Sequence, residues 1–402
     1  MSGIMSDHAG RLRAGAAARR APLAVAGVLA LLVAAGCSDA ASPHPPPPPP
    51  PPPPNEIPAP PVPVCTGLEA VCNVPLPTYD GSGQLVHPDV AVFPDGFAGH
   101  EFWLAATPYP NGNANLENPS LFTDDDRRWI VPPDVHNPLV APPPSPAHNS
   151  DPDLVFDPPT NRLRLYYRLT MNNIDAILMR STSDGSHWSD PVTVASAKGI
   201  AIVSPAVVRT PDAGFVMWSV NAINGGCLAR STVLERRTSF DGVHWSDPLP
   251  VSITQQGYVL WHLDVQYIPS KNEYWALIAA YPVAAGCAAD DLFFARSADG
   301  VTWQTFPTPL VSHTDYPAYA NAVYRSTFAY DADNDAVRLW LSGAVFKQGS
   351  WVWTMATSRW RVADLLAHVS APPSPLSGTQ PGAIGPIAWD LSSPDAAASD
   401  FP

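Results

Sequence analysis

The stretch "STSDGSHWSDP" (Ser181–Pro191) has a near-twin in "TSFDGVHWSDP" (Thr238–Pro248) and a shorter relative in "SADGVTW" (Ser297–Trp303). Ser or Thr, Asp-Gly and Trp recur at the same offsets, and Trp188, Trp245 and Trp303 follow one another at intervals of about 57 residues. One interval earlier lies Trp129 in "TDDDRRW", a degraded copy of the box; one later lies Trp360, after "MATSR", where the box is almost erased. Five units therefore tile roughly residues 80 to 365. Repetition at a fixed period marks an architectural unit before it marks a catalytic one.

Each unit opens with an apolar run: "HPDVAVF" from His87, "DPDLVF" from Asp151, "SPAVVR" from Ser204, "HLDVQYI" from His262 and "YRSTFAY" from Tyr324. An aromatic-rich run follows, as in "LRLYYRLT" and "YWALIAAY"; a third leads into the box and a short fourth leaves it. Runs of this length, divided by Asn, Gly, Pro and Asp, read as strands. The one helical pattern is Val362–Val369. Four antiparallel strands repeated about an axis make an all-β fold, a five-bladed β-propeller. A plain β-sandwich leaves the even tryptophan spacing unexplained.

Within "SxDGxxW", Ser or Thr and Asp can accept local backbone amides, Gly permits positive φ, and Trp can pack between blades. The motif resembles the Asp-box of sialidases and other propellers, which implies a turn staple on the face away from the active site.

The ends of the chain read differently. Arg11, Arg13, Arg19 and Arg20 precede the apolar run Ala21–Ala35, which is short for a spanning helix and suited to a signal-peptide core. It ends in "VAAGC", which resembles the lipobox of bacterial lipoproteins and implies lipidation of Cys37 and anchoring in the bacterial cell envelope, with the membrane met only through the lipid. The proline run that follows is expected to form a stiff polyproline II stalk. The expected organisation is a signal peptide over 1–36, a lipidated stalk over 37–64, the propeller over 65–365 and a low-complexity tail over 366–402. Besides Cys37 there are four cysteines, an even number suited to disulfides in an exported chain. Cys227 and Cys287 occupy equivalent loops of neighbouring blades and are expected to pair; Cys65 and Cys72 would close a local loop. A formal charge of −14 excludes nucleic acid as the partner. A monomer is expected.

In a propeller, first-strand starts and the loops between second and third strands converge on one face, opposite the boxes. The strand starts contribute His87 and Asp89, Asp151 and Asp153, Ser204, His262 and Asp264, and Arg325. The loops contribute Tyr109 and Glu117, Asn172 and Asp175, Asn221, Tyr281 and Asp290. Acidic groups from separate blades around one axis need a proton, a metal or a substrate to compensate them. His87 and His262 each stand two residues before an Asp, a pattern that could hold a metal with water or make hydrogen bonds to a substrate. No cofactor is expected, and a divalent cation in the channel is left open.

"HPDVAVFPDGFAGHEFWLAATPYPNGNANLENPSLF" and "WHLDVQYIPSKNEYWAL", with five blades and Asp-Gly boxes, resemble the five-bladed propeller glycoside hydrolases, the arabinanases, xylosidases and invertases. The resemblance implies a carbohydrate partner and hydrolysis by carboxylates of the first three blades. Asp89 matches the base or nucleophile and Asp153 the pKa-modulating acid; blade three offers Ser204 and Ala206 where the family has its acid. Glu117 is the replacement acid expected here, ahead of Glu235. His87, His262, Asp264, Arg325 and Asp151 become substrate contacts, with Tyr109 and Trp261 stacking on sugar faces. Two alternatives keep the fold without the acid: a glycan-binding lipoprotein or an interaction scaffold.

Overall fold

The computed structural model describes residues 71–372, apart from 126, 127, 213, 224, 317, 318 and 320. Cys37, the proline run, Cys65 and the tail beyond 372 lie outside the described residues. Five sheets of antiparallel strands form the blades. Blade one comprises Leu85–Phe97, His100–Pro108, Ser120–Asp125 and Arg128–Ile130; blade two comprises His148–Asp157, Arg162–Met171, Ile174–Thr182 and Val192–Lys198. Blade three is built from Val203–Arg209, Phe215–Asn221, Val233–Ser239 and Leu249–Pro250, and blade four from Tyr258–Ile268, Glu273–Pro282, Asp291–Ser297 and Gln304–Thr305.

Blade five closes the ring with strands from both ends of the domain. Its first strand is split into Ala322–Val323 and Thr327–Asp331, followed by Ala336–Lys347 and Ser350–Arg361. The outermost strand is Cys72–Asn73, which pairs with Thr357 and Ala356. The N-terminal segment, not the tail, therefore supplies the closing strand. The helix Val362–Ser370 packs Val362, Leu365 and Val369 against blade-four and blade-five side chains, so the packed chain runs past residue 365.

The boxes are joints between blades. Thr182 Oγ1 accepts the Gly185 amide at 2.9 Å, while Asp184 Oδ1 accepts those of Ser186 and His187 at 2.9 and 2.8 Å. Ser239 and Asp241, and Ser297 and Asp299, repeat the arrangement. Each box then receives the second strand of the preceding blade. Tyr166 Oη donates to the Gly242 carbonyl and Trp218 Nε1 to that of Gly300, both at 2.9 Å. The box tryptophans pack edge-on to the same residues, Trp245 on Tyr166 and Trp303 on Trp218. Gly300 has φ +68°, and a Cβ there would meet the Trp218 ring at 2.7 Å. Glycine is thus required twice over, by conformation and by contact.

The predicted bridge between Cys227 and Cys287 is present, with Cα atoms 5.0 Å apart. It ties the loop after the second strand of blade three to its counterpart in blade four, and Tyr281 Oη adds a second tie by donating to the Ala229 carbonyl. Cys72 is also disulfide-bonded.

Candidate functional site

Three blades begin their first strands with the same irregularity. His87, Asp151 and Ser204 precede proline and hold φ of 53°, 49° and 52°. The strand register shifts there, between Val86 and Asp89, Ser150 and Asp153, and Val203 and Ala206. Left-handed backbone at a non-glycine residue costs about 1–3 kcal/mol and persists where surroundings over-determine it. Blade four bulges between Leu260 and His262 without a proline, and blade five interrupts its first strand at Arg325. One ring of positions therefore carries His87, Asp151, Ser204, His262 and Arg325. The ring two residues along carries Asp89, Asp153, Ala206, Asp264 and Thr327.

The first ring forms a buried ionic cluster. His87 Nε2 lies 3.6 Å and His262 Nδ1 3.3 Å from Asp151 Oδ1. His87 Nδ1 faces Glu117 Oε1 at 3.1 Å, and the Thr107 hydroxyl donates to that oxygen at 3.4 Å. Arg168 Nη1 stands 3.6 Å from Asp151 Oδ2 and Arg325 Nη1 3.9 Å from Oδ1. Tyr324 lies against both imidazoles and its hydroxyl accepts from Trp261 Nε1 at 2.9 Å. Burial alone would raise Asp151; the His87 and His262 imidazoles, helped by Arg325, outweigh it and hold the carboxyl well below the usual range. All of these side chains are closed to solvent, His262 and Asp151 completely.

The second ring binds blade to blade. Asp89 Oδ2 accepts the Leu154 amide at 2.6 Å and Asp153 Oδ2 the Val207 amide at 2.9 Å. Thr327 Oγ1 donates to Asp264 Oδ2 at 2.9 Å, and Arg325 Nη2 reaches Asp153 Oδ1 at 3.4 Å. Burial raises Asp89, Asp153 and Asp264, the last to about 7, and the negative charge of Asp89 pushes the other two further against the pull of Arg325. These carboxylates line a cavity of about 360 Å³ walled by Val92, Phe93, Phe156, Val208, Arg209 and Tyr267. The walls belong to the later parts of the first strands, toward the box end.

The structure therefore separates the expected catalytic set. Asp89 and Asp153 share the cavity in the channel, whereas Glu117 does not line it and stands behind His87. Asp151, expected only as a substrate contact, is the centre of the upper cluster. Tyr109 and Trp261, expected to stack on sugars, are 1% and 0% exposed; Tyr109 packs on Trp353 and Trp261 on Tyr281. Glu235 is engaged by Asn221 and Arg237 on blade three. Sequence reasoning passed over His148, buried at the start of blade two's first strand, and Arg168, the strand partner of Ser150.

His87, Asp151 and His262 can also be tested as a metal centre. Their nearest donor atoms lie within 4.8 Å of one another. Ligands at about 2.0–2.1 Å from a tetrahedral ion stand about 3.3 Å apart, close to the separations from Asp151 Oδ1. His262 turns Nδ1 to Asp151 Oδ1, while its Nε2 has no hydrogen-bond partner among the described residues. Two imidazoles and a carboxylate are a donor set suited to zinc and similar divalent ions. The residues fit. Asp89, Asp153 and Asp264 also converge within 4.8 Å, but Arg325, the Thr327 hydroxyl and backbone amides already engage them.

No family model matches the chain. It is 27% identical over 310 residues to the A type blood N-acetyl-alpha-D-galactosamine deacetylase of Flavonifractor plautii, which covers 64% of this chain and 40% of that protein's length. The chain thus spans well under half of that relative. A solved N-acetylgalactosamine deacetylase from F. plautii, in complex with blood group B trisaccharide, superposes with a TM-score of 0.69 at 22% identity over 75% of this chain and 97% of the other. A GH62 hydrolase in complex with xylotriose superposes at 0.50, with 14% identity over 71% and 94%. The chain is a five-bladed propeller similar to carbohydrate-active proteins of two chemistries, one that removes an acetyl group and one of a glycoside hydrolase family.

Proposed function

We propose that this protein is a carbohydrate-active amidohydrolase that removes the acetyl group of an N-acetylated amino sugar, using a divalent cation held by His87, Asp151 and His262. The observation that carries this reading is the buried His–Asp–His cluster at the start of the first strands; the likeness to a deacetylase supports it. Hydrolysis adds water across the acetyl C–N bond, releasing acetate and a free amine. Held by these three residues, a cation would supply Lewis acidity. Glu117 Oε1 keeps the shared proton on His87 Nδ1 and so presents Nε2 as a ligand, the carboxylate–imidazole arrangement common behind metal sites. Tyr324, whose hydroxyl accepts from Trp261, carries the O–H that would donate to oxygen as negative charge develops. The cluster is closed to solvent in this structure.

Two-carboxylate glycoside hydrolysis is the second reading, favoured by Asp89 and Asp153 sharing one cavity. Against it, both carboxylates already accept backbone amides of the neighbouring blade. A signal-peptide and "VAAGC" pattern supports attachment to the cell envelope through Cys37, which would set the propeller on a proline stalk.

The test is to incubate the full chain with zinc and oligosaccharides ending in N-acetylgalactosamine, and to assay acetate and reducing ends separately. Acetate release that a chelator abolishes is the expected result. New reducing ends without acetate would replace this reading with the glycosidase.

A further inference from the structure

Asp151 is held from behind by a second ion pair. Arg168 lies on the second strand of blade two, as the strand partner of Ser150. Its Nη1 stands 3.6 Å from Asp151 Oδ2, and its Nη2 donates to Asp175 Oδ1 at 3.0 Å. Asp175, at the start of the third strand, is saturated. Thr170 Oγ1 donates to the same oxygen at 3.0 Å, and the Ala201 and Ile202 amides donate to Oδ2 at 2.8 and 3.2 Å. Those amides belong to the segment leading into blade three, so Asp175 is fixed by two blades. The two oxygens of Asp151 are thereby divided: Oδ2 faces Arg168 and the Ser150 hydroxyl, and Oδ1 faces His87 and His262. Asp175 and Arg168 are each at most 1% exposed, so water cannot substitute for either.

We infer that Arg168, anchored by Asp175, is a positioning residue that aims Asp151 Oδ1 at the two histidines and thereby sets the affinity of this site for a divalent cation. The inference rests on the cation reading above. Its sign separates it from simple electrostatics. A guanidinium this close repels a cation, so charge alone predicts tighter binding when Arg168 is lost. Positioning predicts weaker binding, because Asp151 Oδ2 would lose the guanidinium that bridges it to Asp175 and would keep only the Ser150 hydroxyl.

The experiment is calorimetric titration of the full chain with zinc, counting only the stoichiometric binding that His262→Ala removes. Arg168→Met and Asp175→Asn should each weaken that binding about ten- to a hundredfold, the usual effect of removing a group behind a ligand. Arg168→Lys keeps the charge without the bridging guanidinium and should recover affinity only in part. Circular dichroism confines the comparison to folded protein, and Arg168→Lys keeps the test open if Asp175→Asn does not fold. Zinc bound as tightly or more tightly by Arg168→Met and Arg168→Lys would overturn the positioning role and leave the cation site standing. A wild-type chain that binds no zinc at this site would overturn both.

Discussion

The carboxylates at the two ends of the propeller are the same residue type in opposite circumstances. At the box end, Asp184, Asp241 and Asp299 are exposed and each accepts two amides of its own turn at 2.8–2.9 Å. Those backbone bonds hold all three below the usual carboxylate range. At the strand-start end, Asp151 and Asp290 are fully buried and no turn of their own satisfies them. Asp151 depends on imidazoles and guanidinium groups of other strands; the carboxyl oxygens of Asp290 have no hydrogen-bond partner among the described residues. A locally satisfied carboxylate can be copied from blade to blade because it needs only its own turn. One whose charge depends on partners from other blades occurs where those partners meet, and there it can do chemistry.

The largest expected break of this contrast comes from Asp151→Asn, which removes the charge between the two imidazoles. Acetate release should fall at least about a hundredfold, together with the stoichiometric zinc. Retention of activity would move the chemistry elsewhere. Asp89→Ala tests the intermediate ring. It leaves the buried Leu154 amide without its acceptor and should cost about 1–3 kcal/mol in denaturant midpoints while the folded protein keeps its turnover. Loss of turnover at unchanged stability would instead favour the two-carboxylate mechanism. At the box end, Gly300→Ala should cost about 1–2 kcal/mol from its left-handed backbone, with any strain against Trp218 adding to it. Catalysis should be untouched.

The same contrast governs what the sequence could reveal. Periodic tryptophans and Asp-Gly pairs gave five blades because each box encodes its own turn. The strand starts were also legible: His87, Asp151, His262 and Arg325 do gather at one ring. What misled was depth. Alternation along a strand makes Asp89 and Asp153 equivalent to residues two positions earlier, yet the pre-proline bulges at His87 and Asp151 break that equivalence. The recurrent x-Pro in "HPD", "DPD" and "SPA" was the available signal. Arg168 had none, since within "LRLYYRLT" it reads as one more polar position of an alternating strand. Closure by Cys72–Asn73 was equally hidden, because a two-residue strand has no periodicity to read.

The smallest effect is the one whose sign discriminates best. Burial, reinforced by the negative charge of Asp291, pushes the Asp290 carboxyl well above the ordinary range. In the unfolded chain it titrates near 4. Between those two values the fold holds a proton that the unfolded chain has released, so this group's contribution to stability falls as pH rises through the window and levels off above the folded pKa. Asp241 runs the other way. Its folded pKa is depressed, so its contribution is present above the unfolded value and is lost as the solution is acidified. Asp290→Asn should therefore gain on the wild type as pH climbs above about 4, and Asp241→Asn should lose most at neutral pH and least in acid. Urea midpoints for both variants across this range measure the two slopes. Slopes of the same sign would mean that Asp290 finds a donor in solution, and the difference between the two ends would then lie in burial rather than in charge.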